Sequence, residues 1–287
     1  MQRPDITALR LHDRYWESRT HDSANARAAG GGAVTLSGKR IFITGAASGI
    51  GAALTSQVAG LGARVVAADR DAAALAALRE RLPGVGVVAG DIGSRTDVAR
   101  MLALCDAELG GLDIVIQNAG VAFWYDRVPT VDAAERIEEE IRSNLLGPVL
   151  VAAASLPLLA REKAATLCIV TSGLAYAPLH CYPVYSATKA ALHSFAHSLR
   201  AKAPRNVRVL EMLPPFVDTP LVTGIAAFKI TPETVARAIV RSITGGRRER
   251  AIGVARLLPF SMRLVPRLTE SVLQLLAWKT SDEPRSR

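Results

Sequence analysis

Arg40-Ile41-Phe42-Ile43-Thr44-Gly45-Ala46-Ala47-Ser48-Gly49-Ile50-Gly51 is the stretch that decides the fold. Residues 40–44 are a short apolar, β-branched run of the kind that forms a buried strand. The glycines that follow let the chain bend tightly and let backbone approach a ligand closely. Residues 50–61 then show helical spacing. A strand that runs through a glycine turn into a helix brings free N–H groups and the positive end of the helix dipole to one point, and a pyrophosphate binds there. Gly45, Ser48, Gly49, Ile50 and Gly51 are therefore candidate phosphate-binding residues.

The same alternation continues outward. Apolar runs at 63–69, 85–91, 112–117, 165–171 and 207–213 are separated by Ala/Leu/Arg-rich stretches such as 71–82 and 95–109. Nearly continuous apolar strands between helices mean a parallel sheet covered on both faces. The expected architecture is a doubly wound α/β fold, one domain with a mostly parallel sheet spanning about 37–256. The second strand ends at Asp69, 18 residues beyond Gly51. A carboxylate there hydrogen-bonds the adenosine ribose hydroxyls and repels a 2′-phosphate, which favours NAD over NADP. Two alternatives stay open: Arg70 holding a 2′-phosphate with Asp69 turned aside, and Asp69 as a plain helix cap.

Composition narrows the class. The 287 residues are 49% hydrophobic and 21% charged, too apolar for a disordered chain, and three cysteines are too few for a disulfide scaffold. The net charge is +9. Ten basic and four acidic residues fall in 241–287, so six of the nine net positive charges sit in the tail and the nucleotide-binding core is close to neutral. Residues 1–36 form an N-terminal extension, expected to be poorly ordered or an interaction arm with a short helix near 6–16. They hold no apolar stretch of secretory-signal length. The longest apolar run, 145–160, contains Gly147, Pro148, Ser155 and Pro157 and is shorter than a bilayer span, so it reads as a buried helix. Residues 257–287 form a basic amphipathic C-terminal segment.

A second group of residues carries the chemistry. Tyr185-Ser-Ala-Thr-Lys189 puts a phenol and an ammonium one helical turn apart on one face. A free Tyr has a pKa near 10, and a nearby cation lowers it toward the range of a useful acid/base. Ser172 ends a strand 13 residues before Tyr185, Asn144 stands in 143–147, and Asn118-Ala119-Gly120 follows the fourth strand. Together with the TGxxxGIG pattern of 44–51, these residues, in this order, closely resemble the short-chain dehydrogenase/reductase superfamily in its compact, single-domain, NAD(P)-dependent form. The resemblance covers about three quarters of the chain and implies an α/β doubly wound Rossmann fold, a seven-stranded, mostly parallel sheet with helices on both faces. It implies that Tyr185 is the acid/base and Ser172 the donor to the substrate oxygen. Lys189 would also bind the nicotinamide ribose, and Asn144 would anchor a proton-relaying water. It further implies adenine contacts from Asp91 and Ile92, a border of the cofactor site at Asn118, Ala119 and Gly120, and carboxamide contacts near Pro214, Val217 and Thr219. Two positions depart from the family pattern: Pro215 stands where Gly is usual, which removes a donor, and Gln117 precedes Asn118. The resemblance also implies a homodimer or homotetramer built on the helices around Asn144 and Tyr185.

Phe123, Trp124, Tyr125, Leu174, Leu179, Tyr182, Phe216, Leu221 and Val222 are expected around the substrate. Their apolar and aromatic character suits a hydrophobic secondary alcohol or ketone, such as a steroid, terpenoid, acyl chain or polyketide. His193 and His197 are spaced for a shared metal but lack a third ligand, and no metal is expected. Cys105 and Cys168 read as small buried hydrophobes of a reduced, cytoplasmic protein. Residues 256–278 interleave Arg with Leu, Phe, Met and Trp; they suit a pocket lid, an oligomer contact or a peripheral membrane contact. The function expected is hydride transfer between a nicotinamide cofactor, NAD preferred, and a hydrophobic small molecule. The alternative is a catalytically silent nucleotide-binding regulatory protein, which Pro215 keeps open. No recognition motif or basic-aromatic platform accompanies the charge, so nucleic acid is not an expected partner.

Overall fold

The computed structural model describes residues 35–125, 130–219, 221 and 229–278. The expected helix at 6–16 and Val222 lie outside them. β1 (Arg40–Thr44) is an interior strand of a seven-stranded sheet ordered β3-β2-β1-β4-β5-β6-β7, with every neighbouring pair parallel. The others are β2 (Arg64–Asp69), β3 (Gly86–Ala89), β4 (Ile114–Gln117), β5 (Ala165–Val170), β6 (Val207–Leu213) and β7 (Glu249–Ala251). The chain moves outward from β1 through β2 and β3, then crosses back to β4 on the other side. This reversal opens a crevice at the carboxyl ends of β1 and β4, the place where such sheets take ligands.

Two apolar layers hold the sheet. Alternate residues face opposite sides. Ile41 and Ile43 of β1 join one cluster with Leu54 and Val58 of α1 (Gly49–Gly60), Leu75 and Leu78 of α2 (Ala72–Arg81) and Val235 and Ile239 of α7 (Pro232–Thr244). Phe42 joins the other, with Met101 and Leu102 of α3 (Arg95–Leu109), Val151 and Leu159 of α5 (Gly147–Leu159) and Leu192 and Ala196 of α6 (Pro183–Lys202). Leu36 is also in the first cluster.

Residues 131–159 form one continuous helical run: a 3₁₀ turn, α4 (Ala134–Ile141), a π-helical stretch Arg142–Leu146, and α5. By length and composition it is apolar enough to cross a membrane. Val151, Ala152, Ser155 and Leu159 face the domain interior, whereas Leu146, Ala153, Ala154 and Pro157 are exposed. The expectation of a buried helix at 145–160 therefore holds for one face only, because α5 covers the sheet with one side. After β7 the chain makes a 3₁₀ turn, then α8 (Leu258–Leu264) and α9 (Pro266–Trp278).

Candidate active site

A cleft of about 410 Å³ runs along the carboxyl ends of the strands, from Asp69, Arg70 and Asp91 to Ser172, Tyr185 and Lys189. Its first end is built on the glycine turn. Gly45 has φ +64°, and a Cβ there would stand 2.6 Å from the Cα of Ala119. A Cβ on Gly51 would stand 1.8 Å from the Gly45 carbonyl oxygen, so the turn closes on itself only without a side chain. Thr44 Oγ1 accepts from the N–H groups of Asn118 and Ala119 at 3.2 and 3.3 Å, and Asn118 Nδ2 donates to the Gly45 carbonyl at 3.0 Å. Asn118 thus braces the turn while bordering the cleft. Ser48 caps α1 without a side-chain hydrogen bond, so the first turn of α1 points its N–H groups toward the cleft.

Asp69 is not a helix cap; Asp71 takes that role by accepting from the Ala74 N–H. The Asp69 carboxylate accepts from the N–H groups of Ala47 at 3.0 Å and Asp71 at 3.2 Å, which holds it at the cleft wall. Arg70 pairs with Glu139 of α4. Asp91 pairs with Arg142 at 2.7 Å and accepts from the Gly93 N–H at 2.7 Å. Ile92 is buried between the cleft and Gly147.

The other end gathers the expected catalytic residues. Ser172 follows β5 and accepts from the Leu174 N–H at 3.1 Å, which holds its hydroxyl in the wall of the cleft. Tyr185 and Lys189 project from the first turns of α6. Lys189 Nζ donates to the Val170 carbonyl at 3.2 Å. Asn144 lies in the π-helical stretch, fully buried; its Nδ2 donates to the Val121 carbonyl at 2.8 Å and to Thr188 Oγ1 at 3.3 Å, and its Oδ1 accepts from the Val121 N–H at 2.8 Å. Its side chain therefore ties the strand-end loop after β4 to α6. The extra residue of a π turn is what aims it inward.

Burial dominates the protonation of this end. It lowers Lys189 to about 8. It pushes Tyr185 up to about 12, a rise that the Ser172 hydrogen bond opposes and the charge of Glu140 reinforces. The expected lowering of the tyrosine by Lys189 is not among the causes acting on Tyr185.

On the substrate side, Leu174, Tyr182, Phe216 and Leu221 line the cleft. Trp124 packs edge-on against Tyr182, with ring centroids 5.5 Å apart, and Tyr182 against Tyr185 at 6.3 Å. Leu179 is buried beneath this aromatic stack and does not line the cleft. Phe123 lies under Arg136, whose guanidinium carbon is 6.0 Å from the ring centroid, and does not line the cleft either. Tyr125 is a core residue: its hydroxyl donates to Glu140 Oε2 at 2.9 Å, while Glu140 Oε1 accepts from the Phe123 N–H at 3.1 Å. The loop 123–125 is pinned by a buried carboxylate and presents only its Trp124 side to the stack.

Among the described residues, no group of three His, Cys, Asp or Glu side chains is arranged to hold a metal. His193 instead meets the fully buried Glu211 of β6 at 2.8 Å. Glu211 also accepts from Thr171 Oγ1 at 2.8 Å and pairs with Arg200 at 3.0 Å, and Arg200 pairs in turn with Glu249 of β7 at 3.2 Å. Sequence reasoning missed this network. A lone Glu inside the apolar strand Val207–Leu213 was the available signal.

Residues 39–229 match the short chain dehydrogenase family. The chain belongs to that family. It is 35% identical to the uncharacterized oxidoreductase DltE of Bacillus subtilis over 187 residues, 65% of this chain and 74% of the relative. An uncharacterized oxidoreductase of Staphylococcus epidermidis is 30% identical over 211 residues, 72% of this chain and 91% of that one. A short chain dehydrogenase from Burkholderia cenocepacia in complex with NADP superposes with a TM-score of 0.74 at 27% identity, covering 84% of this chain and 99% of the other. A 3-ketoacyl-(acyl-carrier-protein) reductase from Brucella melitensis complexed with NADH gives 0.71 at 25%, covering 76% and 97%. The chain is an oxidoreductase, and the glycine cradle that any Cβ would fill, the open α1 N-terminus and the Asp69 carboxylate fit a nicotinamide dinucleotide.

Against the pattern of this short-chain dehydrogenase family, the segment after β6 is the main departure. The Pro214 carbonyl accepts from the Gly173 N–H at 2.9 Å, and Pro215 lies beside Gly253 of the 3₁₀ turn. Val217 is buried, bridged in parallel to Ile230, and Thr219 sits against Gly49. Pro215 is thereby accommodated by packing toward the C-terminal helices, and Pro214, Val217 and Thr219 still border the cleft.

Proposed function

We propose that this short-chain dehydrogenase interconverts a hydrophobic secondary alcohol and its ketone, with NAD preferred over NADP. The observation that carries this reading is the convergence of Ser172, Tyr185 and Lys189 at one end of a cleft whose other end is walled by Asp69. When bound there, the nicotinamide accepts or supplies the hydride. Gly45, Ser48, Gly49, Ile50 and Gly51 would hold the pyrophosphate, Asp69 the adenosine ribose, and Asp91 and Ile92 the adenine. Ser172 holds the substrate oxygen. Tyr185 moves the proton at that oxygen: protonated at neutral pH, it is set to donate in the direction of reduction. The Lys189 ammonium favours the tyrosinate left behind, and Asn144 positions the loop and α6 relative to each other. NAD preference is supported by Arg70, the cation that would greet a 2′-phosphate, being held by Glu139.

The test is a screen of hydrophobic ketones and alcohols with NAD(H) and NADP(H) in parallel, read by nicotinamide absorbance. Turnover with NAD(H), lost in Tyr185→Phe while NADH still binds, is the expected result. Full activity in Tyr185→Phe overturns the mechanism, and NADH binding without turnover of any compound favours a regulatory nucleotide-binding role.

We further propose a homo-oligomer formed through the exposed small and apolar face made by Leu146 of the π-helical stretch and Ala153, Ala154 and Pro157 of α5, together with Ala187, Ala190 and Ala191 of α6. Light scattering of the purified chain tests it; a monomer at micromolar concentration rules it out. We also propose a peripheral contact with anionic membranes through Phe260, Leu264 and Leu275, which are 72%, 77% and 57% exposed and are flanked by Arg256, Arg263 and Arg267. Sedimentation with phosphatidylglycerol vesicles, absent with phosphatidylcholine vesicles, is its expected signature. The described cysteines are all free, which supports a reduced, cytoplasmic setting.

A further inference from the structure

Behind Ser172 lies a second cavity, of about 420 Å³, within the size range of small-molecule sites. It is continuous in its walls with the catalytic cleft: Ser172, Leu174, Pro214, Pro215 and Phe216 line both. Its far side is made by the C-terminal helices, through Leu258, Val265, Leu268, Val272 and Leu273. The chemistry of the lining is one-sided. No charged residue contributes, and the hydroxyls of Ser261 and Thr269 donate back into their own helices, to the Leu258 carbonyl at 3.3 Å and the Val265 carbonyl at 3.1 Å. Ser172 at the inner end is the remaining side-chain hydroxyl of the lining.

The wall is held in place at both ends. Leu258 Cδ1 stands 3.0 Å from where a Cβ on Gly173 would be, which seats α8 directly behind the serine turn. On α9, Gln274 Oε1 accepts from the His180 N–H at 3.1 Å and its Nε2 donates to the Pro178 carbonyl at 3.1 Å, which clamps that helix to the loop before α6. The side chains that close the cavity are nevertheless left in water: Leu268 is 62% and Val272 47% exposed. An apolar ligand would cover them.

We infer that this cavity binds the aliphatic tail of the substrate, so that the reacting oxygen sits at Ser172 and a hydrocarbon chain runs outward between residues 214–216 and helices α8–α9. The inference rests on the proposed alcohol–ketone reaction and names its substrate class: amphiphiles with an oxygen function near one end of an alkyl chain. The continuity of the walls with the catalytic cleft favours this occupant over a second copy of the chain. Beyond Ser172 the site recognises carbon chains by buried area, since its wall carries no charge and the hydroxyl protons of Ser261 and Thr269 are already donated.

The test uses the full chain with NADH and the series 2-butanone, 2-octanone and 2-dodecanone. kcat/KM should rise by about fourfold per methylene buried (~0.8 kcal/mol). Leu268→Glu, on an exposed helix face, should flatten that slope, with NADH binding confirming that the variant is folded. A dansylated fatty acid should brighten on binding to the wild-type chain and be displaced by 2-dodecanone, a readout that needs no turnover. Turnover of short ketones with no chain-length gain overturns the tail site and leaves the reaction standing. If no ketone is reduced, the reaction fails, and probe displacement alone then decides for or against the cavity. A dimer that Leu268→Glu dissociates without changing the slope assigns the face to a second copy and overturns the inference.

Discussion

Lys189 lies over the ring of Tyr185, its Nζ 5.5 Å from the ring centroid. Lys189 is buried and Tyr185 half-buried, with no carboxylate among the described residues bonded to either, so desolvation pushes each toward its neutral form: Lys189 down to about 8, Tyr185 up to about 12. The lysine is therefore the group that changes charge in the working range. It is an ammonium below about pH 8 and neutral above it. Ketone reduction should hold steady below that point and fall by about tenfold per pH unit above it. The residual activity of Lys189→Met should lack this limb. A wild-type profile that stays flat to about pH 10 would show that the ammonium is not needed.

Asp69 accepts two backbone N–H groups and is held at the wall of the cleft, while Arg70 is engaged by Glu139. On the proposed NAD preference, Asp69→Ala would remove charge-assisted bonds to the adenosine ribose and the repulsion of a 2′-phosphate. Bonds of that kind contribute about 1.5–3 kcal/mol, which corresponds to roughly 10–100-fold in kcat/KM for NAD. The NADP/NAD ratio should rise by at least the lower factor. Adding Glu139→Gln, which releases Arg70, should raise it again. Parallel titrations with both cofactors check the pair, and an unchanged ratio in Asp69→Ala would remove the structural basis for NAD preference.

The glycine turn, the strand-ending Asp69 and the Tyr185–Lys189 pair were legible because each depends on local spacing, and the strand and helix around each follow from apolar periodicity. β7 was not legible. Glu249-Arg250-Ala251 has no apolar run and becomes a strand only because Glu211–Leu213 of β6 offer it an open edge. Phe123, Tyr125 and Leu179 look like pocket residues by type, yet a buried Glu140 below the loop turns two of them away from the cleft, and no local pattern announces a partner 15 residues distant. Residues 256–278 showed their amphipathic character in the sequence. Which face they would bury depended on the cavity beside Ser172, a tertiary feature.

His193 and Glu211 make a testable contribution to stability. The hydrogen bond to Glu211 is the first cause that raises His193 above its usual value, against the opposing effect of burial. A histidine raised in the folded state stabilises fully below about pH 6.5, its unfolded value. That contribution is lost as pH climbs through the folded value. His193→Gln should therefore lower the melting temperature clearly at about pH 5.5 and much less at about pH 9. Thermal melts of both proteins at the two pH values decide it. A gap that is equal at both would mean that His193 contributes packing against Tyr176, whose ring lies 4.9 Å away, and no charge.

Glu140 presents the opposite sign. Burial is the first cause that raises its carboxyl, with the Phe123 N–H and Tyr125 hydroxyl pulling the other way. The folded state thus holds the proton more tightly than the unfolded state, and ionisation of Glu140 costs stability as pH rises above its unfolded value of about 4.3. Glutamine at this position can accept from Phe123 through its oxygen and donate to the Tyr125 oxygen through its nitrogen, without a buried charge. Glu140→Gln should be neutral or stabilising at about pH 8, with the difference from wild type shrinking toward pH 4. Tyr125→Phe leaves a buried carboxylate oxygen without its donor and should cost about 1–3 kcal/mol at neutral pH. Denaturant titrations of the two variants separate the roles. If Glu140→Gln proves the more damaging at pH 8, the ionised carboxylate is itself required to hold the aromatic loop beside Tyr185.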